Sequence, residues 1–219
     1  MKIVNFASEK SIINQYMAEI RNVDYQSNRL VFRRNIERIG ELMAYEVSKS
    51  LDYSDKQVPT PLATATVSTP DDKIVLSTVL RAGLPLHQGF LNVFDRAENA
   101  FVSAYRYYED EEGTQVGIKT EYMVSPNLEG KTLILVDPML ATGGSMELAY
   151  KALTAEMKPK RVILASVIAA QEGVDYLEKV FPSSDVTLYT AAIDPKLNEH
   201  KYIVPGLGDA GDLCYGEKL

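Results

Sequence analysis

The sequence predicts an α/β fold in which helices cover both faces of a central, mostly parallel sheet. Short apolar runs typical of fully buried strands alternate with helical patterns from residue 74 to residue 191. The length of 219 residues suits one domain, or one domain with a small lobe. Ligands of such folds bind beyond the carboxyl ends of the strands, so we expect the chemistry in the turns after Leu80, Tyr105 and Val136.

The N-terminal third reads as helical. A short helix is predicted over Ser8–Glu19, with Ser8 as its N-cap, and a longer helix over Asn28–Leu51, where apolar residues recur at helical spacing. Prolines interrupt the next stretch. Between them Leu62–Ser68 alternates small and β-branched residues, which favours an exposed strand or arm that could pair between subunits.

From residue 74 onward, strands and helices follow one another in turn. The predicted strands are Ile74–Leu80, Ala100–Tyr105, Leu133–Val136, Arg161–Ala169 and Val186–Ala191. The predicted helices follow the tight turn Arg81–Gly83 through Leu91, and run from about Ser145 to Met157 and from Glu172 to Phe181. The segment Tyr107–Pro126 breaks this rhythm with the acidic run Glu109–Glu112. It fits an active-site lid and a solvated surface hairpin equally well.

Composition excludes several classes of function. The net charge of −7 argues against a broad basic face for nucleic acid. A single cysteine, Cys214, excludes an intrachain disulfide and a cysteine-rich zinc motif, and two histidines exclude a histidine-rich metal site. Neither a signal-peptide pattern nor an apolar run of roughly 20 residues is present, so we expect a cytoplasmic protein without a membrane partner.

The strongest local signal is the segment Leu133–Ser145. Four apolar residues are followed by Asp137, and a turn of small residues then leads into a helix. Gly143 and Gly144 allow backbone amides to approach a phosphate, and the helix N-terminus adds unpaired N–H groups. Thr142 and Ser145 can donate hydroxyl hydrogen bonds, while Asp137 is an acceptor suited to ribose hydroxyls.

The alternative is an ordinary glycine-rich turn in which Asp137 caps the helix. The acidic residue five positions before Thr142, directly after an apolar run, favours the phosphate interpretation. The Gly-Lys-Ser/Thr ending of a Walker loop is absent, and so is Gly-x-Gly-x-x-Gly, which disfavours nicotinamide cofactors.

Leu133–Ser145 resembles the phosphoribosyl pyrophosphate signature of type I phosphoribosyltransferases. Its form Asp-Pro-Met-Leu-Ala-Thr-Gly-Gly-Ser is typical of the uracil phosphoribosyltransferase family. Leu80–Leu84 resembles the pyrophosphate loop of that family, Leu197–His200 and Tyr202–Asp212 its uracil-binding segment, and Arg29–Leu51 its N-terminal helix. The resemblance implies one domain over residues 1–219, with a core of about 60–190 and a hood lobe from the N-terminal part and about 191–219.

The resemblance also implies the reaction and the site. Ribose 5-phosphate passes from 5-phospho-α-D-ribose 1-diphosphate (phosphoribosyl pyrophosphate) to uracil, giving UMP and pyrophosphate in pyrimidine salvage. The expected catalytic residues are Arg81, Arg106, Asp137 and Asp209. The donor-binding residues are these four with Pro138, Met139, Leu140, Ala141, Thr142, Gly143, Gly144 and Ser145, and the uracil-binding residues are Ile203, Gly208, Asp209 and Ala210.

Further expectations follow from the family. Mg²⁺ binds with the donor and contacts Asp209 through water, GTP is an effector without an assigned site, and the chain forms a homodimer or a larger homo-oligomer. Arg81 could instead form a helix-side ion pair, and Arg106 could pair with Glu109 or Asp110. After Arg106 the sequence Tyr107–Asp110 departs from the family pattern, so the lid contacts are expected to differ.

Two other functions fit the same signature. One is a phosphoribosyltransferase for another base, against which the C-terminal segment argues. The other is an RNA-binding regulator with this fold, which should carry a basic face that the acidic composition disfavours.

Overall fold

The computed structural model describes residues 1–108, 116–183 and 185–217, and within these ranges it leaves the side chains of 104–121 undescribed. The strands are β1 (Lys2–Asn5), β2 (Tyr53–Pro59), β3 (Thr64–Pro70), β4 (Ile74–Val79), β5 (Glu98–Tyr108), β6 (Val116–Val124), β7 (Thr132–Val136), β8 (Met139–Leu140), β9 (Arg161–Ala170), β10 (Val186–Asp194), β11 (Lys196–Leu197) and β12 (Ile203–Val204). The helices are α1 (Ile12–Arg21), α2 (Val23–Gln26), α3 (Arg29–Ser48), α4 (Leu84–Val93), α5 (Gly144–Leu153), α6 (Gln171–Val180) and α7 (Ala210–Tyr215).

The main sheet confirms the predicted fold class. Its strand order is β1-β10-β9-β7-β4-β5-β6, and β8 pairs with β9 beside this path. The described pairs are parallel except for β5 with β6, which are antiparallel. Because β7 lies between β4 and β9, the turn that follows it lies between the carboxyl end of β4 and the last residues of β9.

The two faces of the sheet bury separate cores, as the apolar strands predict. Along β7, Ile134 and Val136 pack with residues of α3 and α4, whereas Leu133 and Leu135 pack on the opposite face with residues of α5 and α6. Successive side chains of a strand point to opposite faces. Because helices cover both faces, all five residues of β7 are buried.

The first helix begins later than predicted, and Ser8 as its N-cap is wrong. Ser8 belongs to a 3-10 helix at Phe6–Ser8, and its hydroxyl donates to the Asn5 carbonyl at 2.7 Å. Ser11 is the N-cap of α1, because its hydroxyl accepts from the Ile13 N–H at 3.3 Å. The second predicted helix is confirmed as α3, although it ends at Ser48 instead of Leu51.

The predicted exposed arm is a two-stranded hairpin. β3 pairs antiparallel with β2, from Tyr53 opposite Pro70 to Pro59 opposite Thr64, and the two strands form a sheet of their own. The sequence did not predict β2. Most residues of the hairpin are exposed, including Leu62 at its tip, which is 98% exposed.

The prediction that Tyr107–Pro126 is irregular is wrong for Val116–Val124, which forms β6. β6 pairs antiparallel with β5, which is the arrangement of the hairpin alternative. The acidic run Glu109–Glu112 lies outside the described residues, so a lid role for this segment stays a prediction. In the part of the chain that the structure describes, no helix combines the length and apolar character of a membrane span.

Candidate active site

The predicted phosphate loop connects β7 to α5 at the carboxyl edge of the sheet. Gly143 is the N-cap of α5 and has φ 83°, in the left-handed region that favours glycine. Its carbonyl accepts the first helical hydrogen bond from the Glu147 N–H at 3.0 Å. The Gly144 N–H donates to the Thr142 hydroxyl at 3.4 Å, a long bond that a bound oxyanion can replace.

A small cavity of about 50 Å³ opens over this loop. It is lined by Asp137, Met139, Leu140, Ala141, Thr142, Gly143, Ser145 and Met146. Most residues predicted to hold the ribose 5-phosphate therefore surround one space, and Ser145 and Met146 in the first turn of α5 belong to its lining.

Asp137 is half-buried at the end of β7 and lines the same cavity. Its N–H donates to the Ala165 carbonyl at 3.0 Å, and its Oδ1 accepts from the Met139 N–H at 3.3 Å. Burial raises the pKa of Asp137 to about 7, against the smaller opposing effect of the Met139 N–H. Since Gly143 caps α5, the alternative in which Asp137 is the capping residue is wrong.

The predicted pyrophosphate loop follows the neighbouring strand β4. The Leu80–Arg81 peptide bond is cis, and the chain turns at Gly83, where an added Cβ would lie 2.0 Å from Thr78 Oγ1. The Thr78 hydroxyl is buried and donates to the Val136 carbonyl at 3.4 Å. This contact links the pyrophosphate loop to the strand that carries Asp137.

Arg81 forms the ion pair that the sequence left open. Its Nη2 lies 3.3 Å from Asp212 Oδ1, and the two side chains are 43% and 31% exposed. An ion pair with that exposure contributes little to stability, so the guanidinium can exchange Asp212 for another anion at small cost.

Arg106 lies on β5, where its Cα faces that of Ile118 on β6. Its side chain belongs to the undescribed set, so the predicted pairing with Glu109 or Asp110 and the predicted pyrophosphate contact both fall outside the described residues.

The predicted uracil segment approaches Arg81 from the other side. Asp209 caps α7 by accepting from the Asp212 N–H at 3.0 Å. An added Cβ at Gly211 would lie 3.1 Å from Asp209 Oδ1 and 3.8 Å from Arg81 Nη2, so these three residues are neighbours. Ile203 on β12 and Ala210 are buried, and Gly208 has φ 92°.

Sequence reasoning missed the contacts that support this segment. Arg21 forms a bidentate pair with Asp194 at 2.8 and 2.7 Å and also donates to the Gly206 carbonyl at 3.0 Å. The Gly206 N–H donates to Asp194 at 2.7 Å. Burial raises the pKa of Asp194, but hydrogen bonds from Arg21 and Gly206 outweigh it, so the net pKa lies below the ordinary value. A local sequence pattern cannot predict this ion pair, because its two residues lie 173 positions apart in the chain.

The donor set is compatible with a metal that arrives with its substrate. No group of three or more His, Cys, Asp or Glu side chains that could hold a metal occurs among the described residues. Mg²⁺ prefers oxygen ligands, keeps several waters and is commonly bound through one or two carboxylates together with substrate phosphates. Asp209, beside Arg81, offers such a carboxylate.

Comparisons with known proteins agree with one another. A family model described as uracil phosphoribosyltransferase matches residues 7–217. A uracil phosphoribosyltransferase of Porphyromonas gingivalis is 56% identical and covers both chains in full. One of Metallosphaera sedula is 35% identical over 96% of this chain and 99% of that protein.

Solved structures share the fold. A protein of Aquifex aeolicus superposes with a TM-score of 0.83 at 30% identity, covering 98% of each chain. A purine phosphoribosyltransferase of Pyrococcus horikoshii superposes with a TM-score of 0.50 at 13% identity over 74% of this chain and 84% of that chain, a likeness of fold alone.

Proposed function

Because the chain belongs to the uracil phosphoribosyltransferase family, we infer that it transfers ribose 5-phosphate from phosphoribosyl pyrophosphate to uracil, giving UMP and pyrophosphate. The observation that carries this inference is the cavity that Asp137 shares with the N-terminus of α5. It joins a carboxylate acceptor to a cluster of N–H and hydroxyl donors, which is the complement of a ribose diol beside a phosphate.

We propose that the loop from Asp137 to Ser145 holds the ribose 5-phosphate. The amides at the start of α5 and the hydroxyls of Thr142 and Ser145 receive the phosphate oxygens. Asp137 accepts from the ribose hydroxyls, which requires its charged form to be favoured once the sugar donates to it. The loop thereby fixes the anomeric carbon relative to the base.

We propose that Arg81 and Arg106 bind the pyrophosphate and stabilise its charge as it leaves. The exposed ion pair between Arg81 and Asp212 supports this role, because the donor offers Arg81 a more highly charged partner. Asp209 is the residue that would hold Mg²⁺, through water. When bound, the ion neutralises charge on the leaving pyrophosphate.

We propose that uracil is selected by backbone groups at Ile203 and Gly208–Ala210. Uracil offers two carbonyl acceptors and an N3–H donor, whereas cytosine has an amino group in place of O4 and an unprotonated N3. A buried, rigid backbone would leave its polar groups unpaired against cytosine, which can discriminate by roughly 10⁴-fold. The bidentate pair of Arg21 with Asp194 supports this rigidity by binding both backbone groups of Gly206.

We propose that the uracil N1 proton leaves without a histidine base. Burial lowers the pKa of His87 to about 4, and its buried ring is held by Asn99 at the start of β5, whose Oδ1 lies 2.7 Å from Nε2. His200 lies in the turn between β11 and β12, where its N–H donates to Asn198. The proton then passes to water or pyrophosphate, and a pH–rate profile that required a histidine-like base would contradict this.

We propose a core of about 60–190 with a hood formed by the chain ends, a homodimer or larger homo-oligomer, a GTP effector and a cytoplasmic location. The exposed apolar side chains of the hairpin, Val58, Leu62 and Val67, support association between chains. Light scattering with and without GTP tests the assembly and its response to the nucleotide.

One assay tests the function. The protein is incubated with phosphoribosyl pyrophosphate, Mg²⁺ and radiolabelled uracil, and in parallel with cytosine, orotate, hypoxanthine and adenine. We expect nucleotide formation from uracil alone. Formation of a nucleotide from another base without UMP would overturn the assignment, and RNA binding without turnover would favour the regulator.

A further inference from the structure

Helix α6 lies directly against the proposed phosphate loop. At Gly173, in the first turn of α6, an added Cβ would lie 2.3 Å from the Ala141 carbonyl oxygen and 3.0 Å from that of Leu140. Only a hydrogen fits between these two backbones, so the loop and the helix cannot shift independently at this point.

Tyr176 makes a second contact with the same loop. Its Cδ1 lies 2.8 Å from the position of a Cβ on Gly143, so the ring covers the glycine that begins α5. Its hydroxyl donates to Glu147 Oε2 at 2.5 Å. Because the Glu147 N–H donates to the Gly143 carbonyl, Tyr176 contacts both ends of the first turn of α5.

The negative charge of Glu147 is paired with Lys151. The side chain is 8% exposed, and Lys151 Nζ lies 2.9 Å from its Oε1. A paired carboxylate can thus accept from Tyr176 near the proposed phosphate position with little net repulsion of a bound anion.

The same helix also contacts the proposed base segment. Glu172, in the first turn of α6, accepts from the Leu197 N–H through Oε1 at 3.0 Å. Leu197 lies opposite Ile203 in the β11–β12 pair. Glu172 is therefore connected through Leu197 to Ile203, which is proposed to hold uracil.

We propose that Tyr176 and Glu172 are positioning residues, through which α6 sets the phosphate loop and the base segment at a fixed separation. Tyr176 acts on the donor through Gly143 and Glu147, and Glu172 acts on uracil through Leu197. The inference rests on the proposed function, because the attack of uracil N1 on the anomeric carbon needs the two ligands held in a near-attack arrangement.

Separate variants test the proposed roles of Tyr176 and Glu172. Tyr176→Phe removes one hydroxyl, Glu172→Ala removes the acceptor for Leu197, and Glu172→Gln restores an acceptor oxygen. Glu178→Gln changes an exposed glutamate of the same helix and serves as the control. For each variant, kcat and both KM values are measured, with the melting temperature and the calorimetric Kd of Mg²⁺-phosphoribosyl pyrophosphate in the absence of base.

We expect Tyr176→Phe to raise the Kd and KM of the donor about 3–10-fold while the KM of uracil stays within about twofold. Glu172→Ala is expected to raise the KM of uracil about 2–5-fold with the donor KM unchanged, and Glu172→Gln to return it close to wild type. A fall in melting temperature with both KM values unchanged, or an equal rise of both in either variant, would overturn the inference.

A wild-type chain that binds the donor but makes no UMP overturns the proposed function and the positioning role of Glu172. In that case the donor affinity of Tyr176→Phe still tests the positioning role of Tyr176. Normal UMP synthesis with no separation of the two KM effects overturns the positioning roles alone.

Discussion

At the scale of single residues, burial of Asp137 favours its protonated carboxyl, whereas the proposed contact with the ribose hydroxyls needs the charged form. Its pKa of about 7 means that the folded chain holds a proton which the unfolded chain releases near pH 4. The contribution of Asp137 to stability is therefore complete below pH 4 and is lost as the pH rises through 7.

We expect Asp137→Asn to stabilise the free protein at pH 8 by roughly 1–2 kcal/mol, with a smaller effect at pH 5. The same change should lower kcat/KM at least about 100-fold, since the amide cannot accept from the diol as a carboxylate does. Denaturant unfolding at the two pH values and the uracil assay measure both effects, with exposed Asp95→Asn as the control. Undiminished UMP synthesis would remove Asp137 from the site.

A comparison of Gly143 and Gly130, which both have positive φ, distinguishes the cost of backbone strain from the cost of side-chain crowding. Gly143 has φ 83° and faces Tyr176 at 2.8 Å, whereas Gly130 has φ 70° with nothing within 4 Å of an added Cβ. Gly130→Ala should cost about 1 kcal/mol of unfolding free energy and leave activity intact. Gly143→Ala should cost about 2–4 kcal/mol and raise the donor KM, because the crowding displaces the loop. Equal costs would show that the loop yields freely.

At the scale of elements, the sequence predicts best where local chemistry and burial coincide. Strand β7, its acidic terminus and the glycine turn were all predicted, because a buried strand beside a helix start has a compact signature. The start of α1 was misplaced since Ser8 and Ser11 are both capable caps, and only the fold selects Ser11. β6 was expected only under the hairpin alternative for Tyr107–Pro126, because the sequence alone could not show that this segment pairs with β5.

The pair of Arg21 on α1 with Asp194 on β10 leads to a prediction about pH. Since the pKa of Asp194 is lowered in the folded chain, its stabilising contribution is present above about pH 4 and is lost as the pH falls through the folded pKa. Asp194→Asn should reduce the unfolding free energy by about 2–3 kcal/mol at pH 7 and raise the KM of uracil. Unfolding curves at pH 7 and pH 3.5 test this, and a difference that persisted undiminished at low pH would contradict the ionic explanation.

At the scale of the whole molecule, the parallel sheet and its two helical layers could be predicted, whereas the contacts that join distant segments could not. In the sequence, nothing links Arg21 to Asp194 or Glu172 to the backbone N–H of Leu197, and only the fold makes them neighbours. For the same reason the sequence indicated the loop proposed to hold the phosphate, but not the elements that contact that loop.

Ligand binding should stabilise the entire chain. Donor with Mg²⁺ at 100 times its Kd is expected to add about 2.7 kcal/mol to the unfolding free energy, because only the folded state binds it. Chelation of the metal should remove most of that gain, and Asp137→Asn should show little of it. Thermal melts with and without donor measure the effect; a full gain in chelator would remove Mg²⁺ from donor binding.

The position of β1 has a consequence for synthesis on the ribosome. The strand Lys2–Asn5 lies beside Val186–Asp194, which the ribosome makes long after it. Residues 2–5 must therefore stay in the nascent chain without their sheet neighbour until residues 186–194 have been translated. Amino-terminal truncations should consequently leave translation and early collapse intact and impair only the final closure of that sheet edge.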